Sequence, residues 1–273
     1  MSSKVVFITG ASSGMGRATL KYLLLKGFRV YASSREPSKF SDIKDENFIP
    51  LHVDLASQES IDRAVETTIK KDKQIDVLVN NAGYGLVSSI EDFTEDEMQE
   101  QFNVNLFGLL RISKAVIPHM RKQHNGIIIN ISSFLGKIGL PLLTLYNASK
   151  YAVEGVTDSL RYELKDYNIR VHSILPGFFD TQFARDNLKT NAQTFSENSA
   201  YKELVANLAP QIIEQINNGN AAKEVALLIH TIIESENFPA RVTVGEKAKK
   251  FLAMRKELSD EDFERRVREY YGL

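Results

Sequence analysis

Tyr146 and Lys150 stand one helical turn apart, thirteen positions after Ser133, in a chain whose start carries Thr9-Gly10-Ala11-Ser12-Ser13-Gly14-Met15-Gly16. Residues four apart share a helix face, so a Tyr-x-x-x-Lys pair sets an ammonium beside a phenol. A phenol with its ordinary pKa of about 10 exchanges protons poorly near neutrality, and a neighbouring cation lowers that value. The pair suits a reaction in which hydride addition to a carbonyl carbon leaves oxyanion character that must be held by donors and protonated. The same spacing recurs at Tyr22 and Lys26, so context has to separate the two pairs.

That context begins at the glycine run. The strand-like Val5 to Ile8 leads directly into Gly10-x-x-x-Gly14-x-Gly16, after which Ala18, Leu20, Leu23 and Leu24 continue at helical spacing. Glycines let the backbone turn sharply and approach a pyrophosphate, which the free N–H groups and positive dipole end of a helix N-terminus attract. The plain alternative is a structural strand-to-helix turn. Tyr22 and Lys26 fall in the helix that follows, among leucines and without a serine-bearing strand at the right interval upstream, and read as packing and surface residues.

Apolar runs suited to buried parallel strands recur at Val5 to Ile8, Phe28 to Ala32, Val77 to Val79, Ile127 to Ile131, Val171 to Leu175 and Val242 to Val244, with helical stretches between them. Alternating strands and helices predict an α/β fold, a doubly wound parallel sheet of Rossmann type with helices on both faces. Thr94 with Glu97 has a capping-box pattern, and Ser259 precedes acids at Asp260, Glu261 and Asp262. No repeat or flexible linker divides the chain, so residues 1–273 are expected to form one domain. A substrate lid is expected over about 178–220, beyond the strand ending at Leu175, where open sheets bind ligands. Two charged helices over about 246–273 make a C-terminal extension.

Composition narrows the partners. Hydrophobic residues make up 43% and charged residues 25% of the 273 positions, and 34 basic against 35 acidic residues give a formal net charge of -1. That balance offers no broad attraction to nucleic acid or an anionic membrane. No cysteine is present, which removes thiolate metal sites and cysteine nucleophiles. His52, His119, His124, His172 and His230 lack paired ligand spacing, so no metal is expected. Strand-like residues begin by Val5, and no stretch reaches the roughly 20 apolar residues of a membrane span, so the expected location is the cytoplasm.

The glycine spacing, the Ser133, Tyr146 and Lys150 set, and four further patterns in order resemble the short-chain dehydrogenase/reductase family from about Val5 to Thr181. Those patterns are Asp54-Leu55; Asn80-Asn81-Ala82-Gly83; Asn103-Val104-Asn105; and Pro176-Gly177 through Thr181. The resemblance implies that Tyr146 is the acid in reduction and the base in oxidation, and that Lys150 also contacts the nicotinamide ribose. It implies that Ser133 holds the substrate oxygen, with Ser132 the alternative serine, and that Asn105 anchors a water in a proton relay to the lysine. Gly10, Ser12, Ser13, Gly14, Met15 and Gly16 would cradle the cofactor phosphates, and Asp54 and Leu55 would meet its adenine. Asn81, Ala82 and Gly83 would lie beside a ribose, with Asn80 and Asn81 equally open to a purely structural role; Pro176, Gly177 and Thr181 complete the cofactor set.

Cofactor choice turns on the end of the second strand, where a carboxylate would bind the adenosine ribose 2′-OH and repel a 2′-phosphate. By resemblance that position is Ser34, followed by the cation Arg35, which favours NADP(H) over NAD(H). The chain departs from many NADP-binding members in having Ser13, not a basic residue, before the second glycine. Phe134, Leu140, Leu142, Leu143, Phe178, Phe179 and Phe183 predict an apolar, bulky carbonyl or alcohol substrate. The run Asn80 to Gly85 and the phenylalanine-rich turn also resemble the hydroxysteroid and retinol dehydrogenase branch. The resemblance implies a homo-oligomer contacting through the helices at Leu106 to Met120 and Ala148 to Leu164. An NADPH-dependent carbonyl reductase is the expectation; an NAD-dependent alcohol dehydrogenase, an epimerase or dehydratase, and a non-catalytic NADP-binding sensor are the alternatives weighed.

Overall fold

The structure, a computed structural model, describes residues 3–180 and 188–273. Seven strands form one sheet: β1 (Val5–Ile8), β2 (Arg29–Ser34), β3 (Phe48–His52), β4 (Val77–Asn80), β5 (Gly126–Ile131), β6 (Ile169–Pro176) and β7 (Arg241–Val244). All neighbours run parallel, in the order β7-β6-β5-β4-β1-β2-β3. The order reverses between β1 and β4, and such a switch point opens a crevice at the carboxyl ends of the strands.

Strand alternation sends successive side chains to opposite faces. Val6, Ile8, Val30 and Val79 pack with Leu20, Leu23 and Leu24 of α1 (Gly14–Leu25) and Val225, Ile229 and Ile232 of α7 (Ala222–Glu234). Val5, Phe7, Tyr31 and Leu78 face the other way, onto Ile61 and Val65 of α2 (Gln58–Asp72) and Ile112, Val116 and Met120 of α4 (Gly108–Gln123). β3 is the one strand of the seven that no apolar run marks. It is an edge strand, half-exposed and carrying Pro50, so neither a continuous apolar run nor clean alternation marks it.

The capping box at α3 (Glu95–Phe102) is closed as its sequence predicts: Thr94 Oγ1 accepts from Glu97 N, and the Glu97 carboxylate accepts from Thr94 N at 2.8 Å. Ser259 likewise caps α9 (Asp260–Tyr271). Asn103–Phe107 is a π-helical segment joining α3 to α4, not part of a regular α-helix. Within the expected lid, residues Leu188–Thr190 pair with Gly85–Val87, and α6 (Lys202–Asn217) follows. α6, α8 (Glu246–Glu257) and α9 contribute to a third apolar cluster, whose Phe134, Leu135 and Leu143 come from the loops around Tyr146.

Candidate active site

Backbone geometry makes the glycine loop a cradle. Gly10 takes φ 63° and Gly14 φ 53°, both in the left-handed region that a side chain disfavours. A Cβ on Gly10 would stand 2.7 Å from Ala82 Cα, and one on Gly16 would meet Gly10 O at 2.5 Å. The loop is therefore pressed against the turn after β4. Asn81 fastens it: its Nδ2 donates to Thr9 O at 3.0 Å and to Gly10 O at 2.9 Å, while Thr9 Oγ1 accepts from Asn81 N at 3.0 Å and Ala82 N at 3.1 Å.

A cleft runs along the carboxyl ends of the strands. Gly10, Ser12, Ser13, Gly14 and Met15 line it at the helix start, Ser34 and Arg35 at the end of β2, Asp54 and Leu55 after β3, and Asn81, Ala82 and Gly83 after β4. Tyr146 and Lys150 close its far end. Gly16 is not on the lining; it serves the close approach behind it. Asn80 is also behind, its Nδ2 donating to Asn130 Oδ1 at 2.9 Å in the sheet. The elongated cradle, with a free helix N-terminus at its middle and a cation at one mouth, fits an extended dinucleotide.

An apolar slot adjoins the cleft. Its walls include Phe134, Leu135, Leu143, Phe178, Phe179, Leu188, Ile212 and Ile216, and Ser133 and Tyr146 also line it. Pro176 and Gly177 lie on this slot and not on the cleft. Leu140 and Leu142 pack in the cluster behind it. Thr181 and Phe183 lie outside the described residues. Leu188, Ile212 and Ile216 were not singled out from sequence; the i, i+4 isoleucines on α6 were the available signal, but nothing local says which surface they meet.

Tyr146 faces both cavities, with Ser133 on the slot side and Lys150 on the cleft side. All three follow from local structure. Ser133 follows β5 by two residues and caps a short 3-10 turn (Phe134–Gly136), its Oγ accepting from Leu135 N at 3.1 Å. Tyr146 and Lys150 share one face of α5 (Thr144–Leu164), and the Lys150 ammonium stands 5.7 Å from the Tyr146 ring centroid. Lys150 is buried and donates to Ile131 O at 2.9 Å.

Asn105 sits behind Gly83, whose missing Cβ would lie 3.2 Å from Asn105 Oδ1 and 3.6 Å from Lys150 Nζ. Its amide is engaged by protein: Oδ1 accepts from Tyr84 N at 3.0 Å, and Nδ2 donates to Tyr84 O at 2.9 Å and Ser149 Oγ at 3.1 Å. The Asn105 side chain thus braces the π-helical segment against the turn at Tyr84 and α5.

The electrostatics of the pair follow from burial. Desolvation pushes the Tyr146 phenol up to about 12, although its ring keeps partial exposure toward the cavities; the Ser133 hydroxyl acts in the lowering direction. Burial drives the Lys150 ammonium down to about 8, against a raising influence from Glu154. In the free protein Lys150 is therefore close to losing its proton near neutral pH, and an anion bound in the cleft would hold that proton on.

Two cleft residues were illegible from sequence. Lys189, from the strand Leu188–Thr190, pairs with Glu100 of α3 at 2.8 Å and lies 4.7 Å over the Tyr84 ring. They meet only because Leu188–Thr190 adds to Gly85–Val87, across some hundred residues of chain. Among the described residues no group of three or more His, Asp or Glu could hold a metal ion, and no helix is long and apolar enough to cross a membrane.

The chain belongs to the short chain dehydrogenase family, whose model matches residues 4–192, and is an oxidoreductase of that family. It is 36% identical over 275 residues, the full length of both chains, to a protein of Bacteroides thetaiotaomicron named 3-ketodihydrosphingosine reductase. A solved short-chain dehydrogenase from Streptomyces avermitilis superposes with a TM-score of 0.85 at 30% identity, covering 94% of this chain and 93% of the other. One from Burkholderia cenocepacia in complex with NADP gives 0.76 at 26% identity, covering 97% of each. One from Burkholderia phymatum in complex with NAD shares the fold, with a TM-score of 0.80 at 23% identity over 97% and 95% of the two chains.

Proposed function

We propose that this oxidoreductase is an NADPH-dependent reductase of an apolar ketone, reversible as an alcohol dehydrogenase, and that the ketone carries a long alkyl chain. One observation carries the reading: Tyr146 stands where the dinucleotide-shaped cleft meets an apolar slot, with Ser133 on the slot side and Lys150 on the cleft side. A bound nicotinamide supplies the hydride. The chain's own groups do the rest. The Ser133 hydroxyl donates a hydrogen bond to the carbonyl oxygen and orients it, and the Tyr146 hydroxyl gives its proton to that oxygen as charge develops. The Lys150 ammonium favours the phenolate left on Tyr146 and so opposes the rise that burial imposes.

NADPH is favoured by Arg35 at the cleft mouth and by a neutral Ser34 where a carboxylate would repel a 2′-phosphate. A hydrocarbon chain is favoured by the slot's phenylalanine, leucine and isoleucine walls, and the end-to-end likeness to a protein named 3-ketodihydrosphingosine reductase supports a long-chain 3-keto compound. The test is NADPH oxidation against 3-ketodihydrosphingosine, simple long-chain ketones, steroids, retinoids and small polar carbonyls, with NADH in parallel. Turnover on the long-chain ketones with NADPH preferred is the expected result. Turnover confined to small polar carbonyls would overturn the substrate, and equal use of NADH the cofactor preference.

A further inference from the structure

Glu154 is a buried carboxylate that this chemistry does not use. It follows Lys150 by four residues and Tyr146 by eight, so the three side chains share one side of α5. It is 2% exposed, yet three other elements reach it. Ser173 Oγ of β6 donates to its carboxylate at 2.5 Å, Arg241 Nε at the start of β7 at 2.6 Å, and Lys137 Nζ stands 3.4 Å away. Arg241 also pairs with Asp158, one turn further along α5, at 2.5 Å.

Lys137 follows the turn that Ser133 caps, and that turn lies directly on α5. A Cβ on Gly136 would stand 2.9 Å from Lys150 O and 3.1 Å from Glu154 Cγ. The cluster therefore spans the seam between the Ser133 turn and the Tyr146 helix. Desolvation makes a buried ion pair a poor source of stability relative to apolar packing. Its placement, one helical turn beyond Lys150, has a use in the field it exerts on that group.

We propose that Glu154 is a positioning residue, the fixed counter-charge of the buried Lys150 ammonium and the tie that holds the Ser133 turn against the Tyr146 helix. The proposal rests on the assignment of Lys150 to dinucleotide binding made above. The charged groups around the carboxylate are Lys137, Arg241, Asp158 and Lys150 itself, and the first two partly neutralise it. Removing the carboxylate and removing Arg241 must then displace the Lys150 titration in opposite directions.

The experiment is NADPH binding by nicotinamide fluorescence between about pH 6 and 10, with thermal melts to show that each variant is folded. In the unmodified protein, affinity falls as pH rises through the Lys150 titration, and Lys150→Met lacks that limb. Glu154→Gln moves the limb down by about one pH unit, and Arg241→Gln moves it up by a smaller amount. Structural damage would weaken binding at every pH without such opposed shifts. Both limbs within about 0.2 pH unit of the unmodified protein, or shifted the same way, would overturn the proposal. If Glu154→Gln does not fold, an unmoved limb in Arg241→Gln is enough to do so. A limb that survives Lys150→Met overturns the assignment of Lys150 itself.

Discussion

Asn105 braces the main chain of Tyr84 at both of its polar groups, accepting from Tyr84 N at 3.0 Å and donating to Tyr84 O at 2.9 Å. The Tyr84 carbonyl has a second donor in Gln101 Nε2, but the buried N–H depends on Asn105. Asn105→Ala should orphan that donor, at about 1–3 kcal/mol, and remove the bond to Ser149 Oγ, which still donates to Tyr146 O. The expected consequence is a Tm lower by roughly 5–10 °C, read by calorimetry. An unchanged melt would mean the brace is dispensable.

Tyr146→Phe keeps the ring that packs between the two cavities and removes only the proton. General acid catalysis contributes about 10²–10⁴-fold, and kcat should fall by that factor. The NADPH dissociation constant should stay within about twofold, because the ring still fills its place. Single-turnover kinetics together with a binding titration separate the two, and a variant with undiminished kcat would remove Tyr146 from the chemistry.

Lys150 should make pH act oppositely on folding and on cofactor binding. Its folded value, driven down to about 8, lies below its ordinary one, so the unfolded chain binds more protons in the window above pH 8. This residue's contribution to stability therefore rises with pH there, by at most about 1.4 kcal/mol per unit. A bound anionic dinucleotide favours the ammonium, so affinity falls across the same window as proton uptake becomes part of binding. Urea melts and NADPH titrations at pH 7 and pH 9, each compared with Lys150→Met, measure the two slopes; identical slopes in the variant would refute the assignment.

At the other end of the cleft, Arg35→Ala should weaken NADPH by about 10–100-fold, the worth of a charge-assisted hydrogen bond, and leave NADH unchanged. Ser34→Asp should add repulsion and shift preference toward NADH. Competitive titrations of both dinucleotides decide it, and parallel losses for the two would show that Arg35 does not read the 2′-position.

On the slot, Ile212→Trp should crowd the wall that α6 supplies. The KM for long-chain ketones should rise about tenfold or more, while a short ketone that leaves the wall untouched keeps its kcat/KM. Equal effects on long and short substrates would mean that the chain does not run past Ile212.

The parts legible in the sequence are those whose geometry is local. Gly10 and Gly14 announce a left-handed backbone, the four-residue interval puts Tyr146 and Lys150 on one helix face, and Thr94 with Glu97 closes a cap within one turn. Apolar runs likewise mark six of the seven strands, whereas β3, with Pro50 on a half-exposed edge, buries too little to show. What tertiary structure alone decided is which distant segments meet. Ile212 and Ile216 form a slot wall only once α6 is laid over the carboxyl ends of the strands. Lys189 reaches Glu100 only when Leu188–Thr190 joins Gly85–Val87, and Glu154 becomes a junction of charges only where β6, β7 and the Ser133 turn converge on α5. The amide of Asn105 meets the Tyr84 backbone because a π-helical segment aims it there. Spacing along a chain fixes a residue's direction within its own element; the partners of a buried polar group are set by whichever elements close around it.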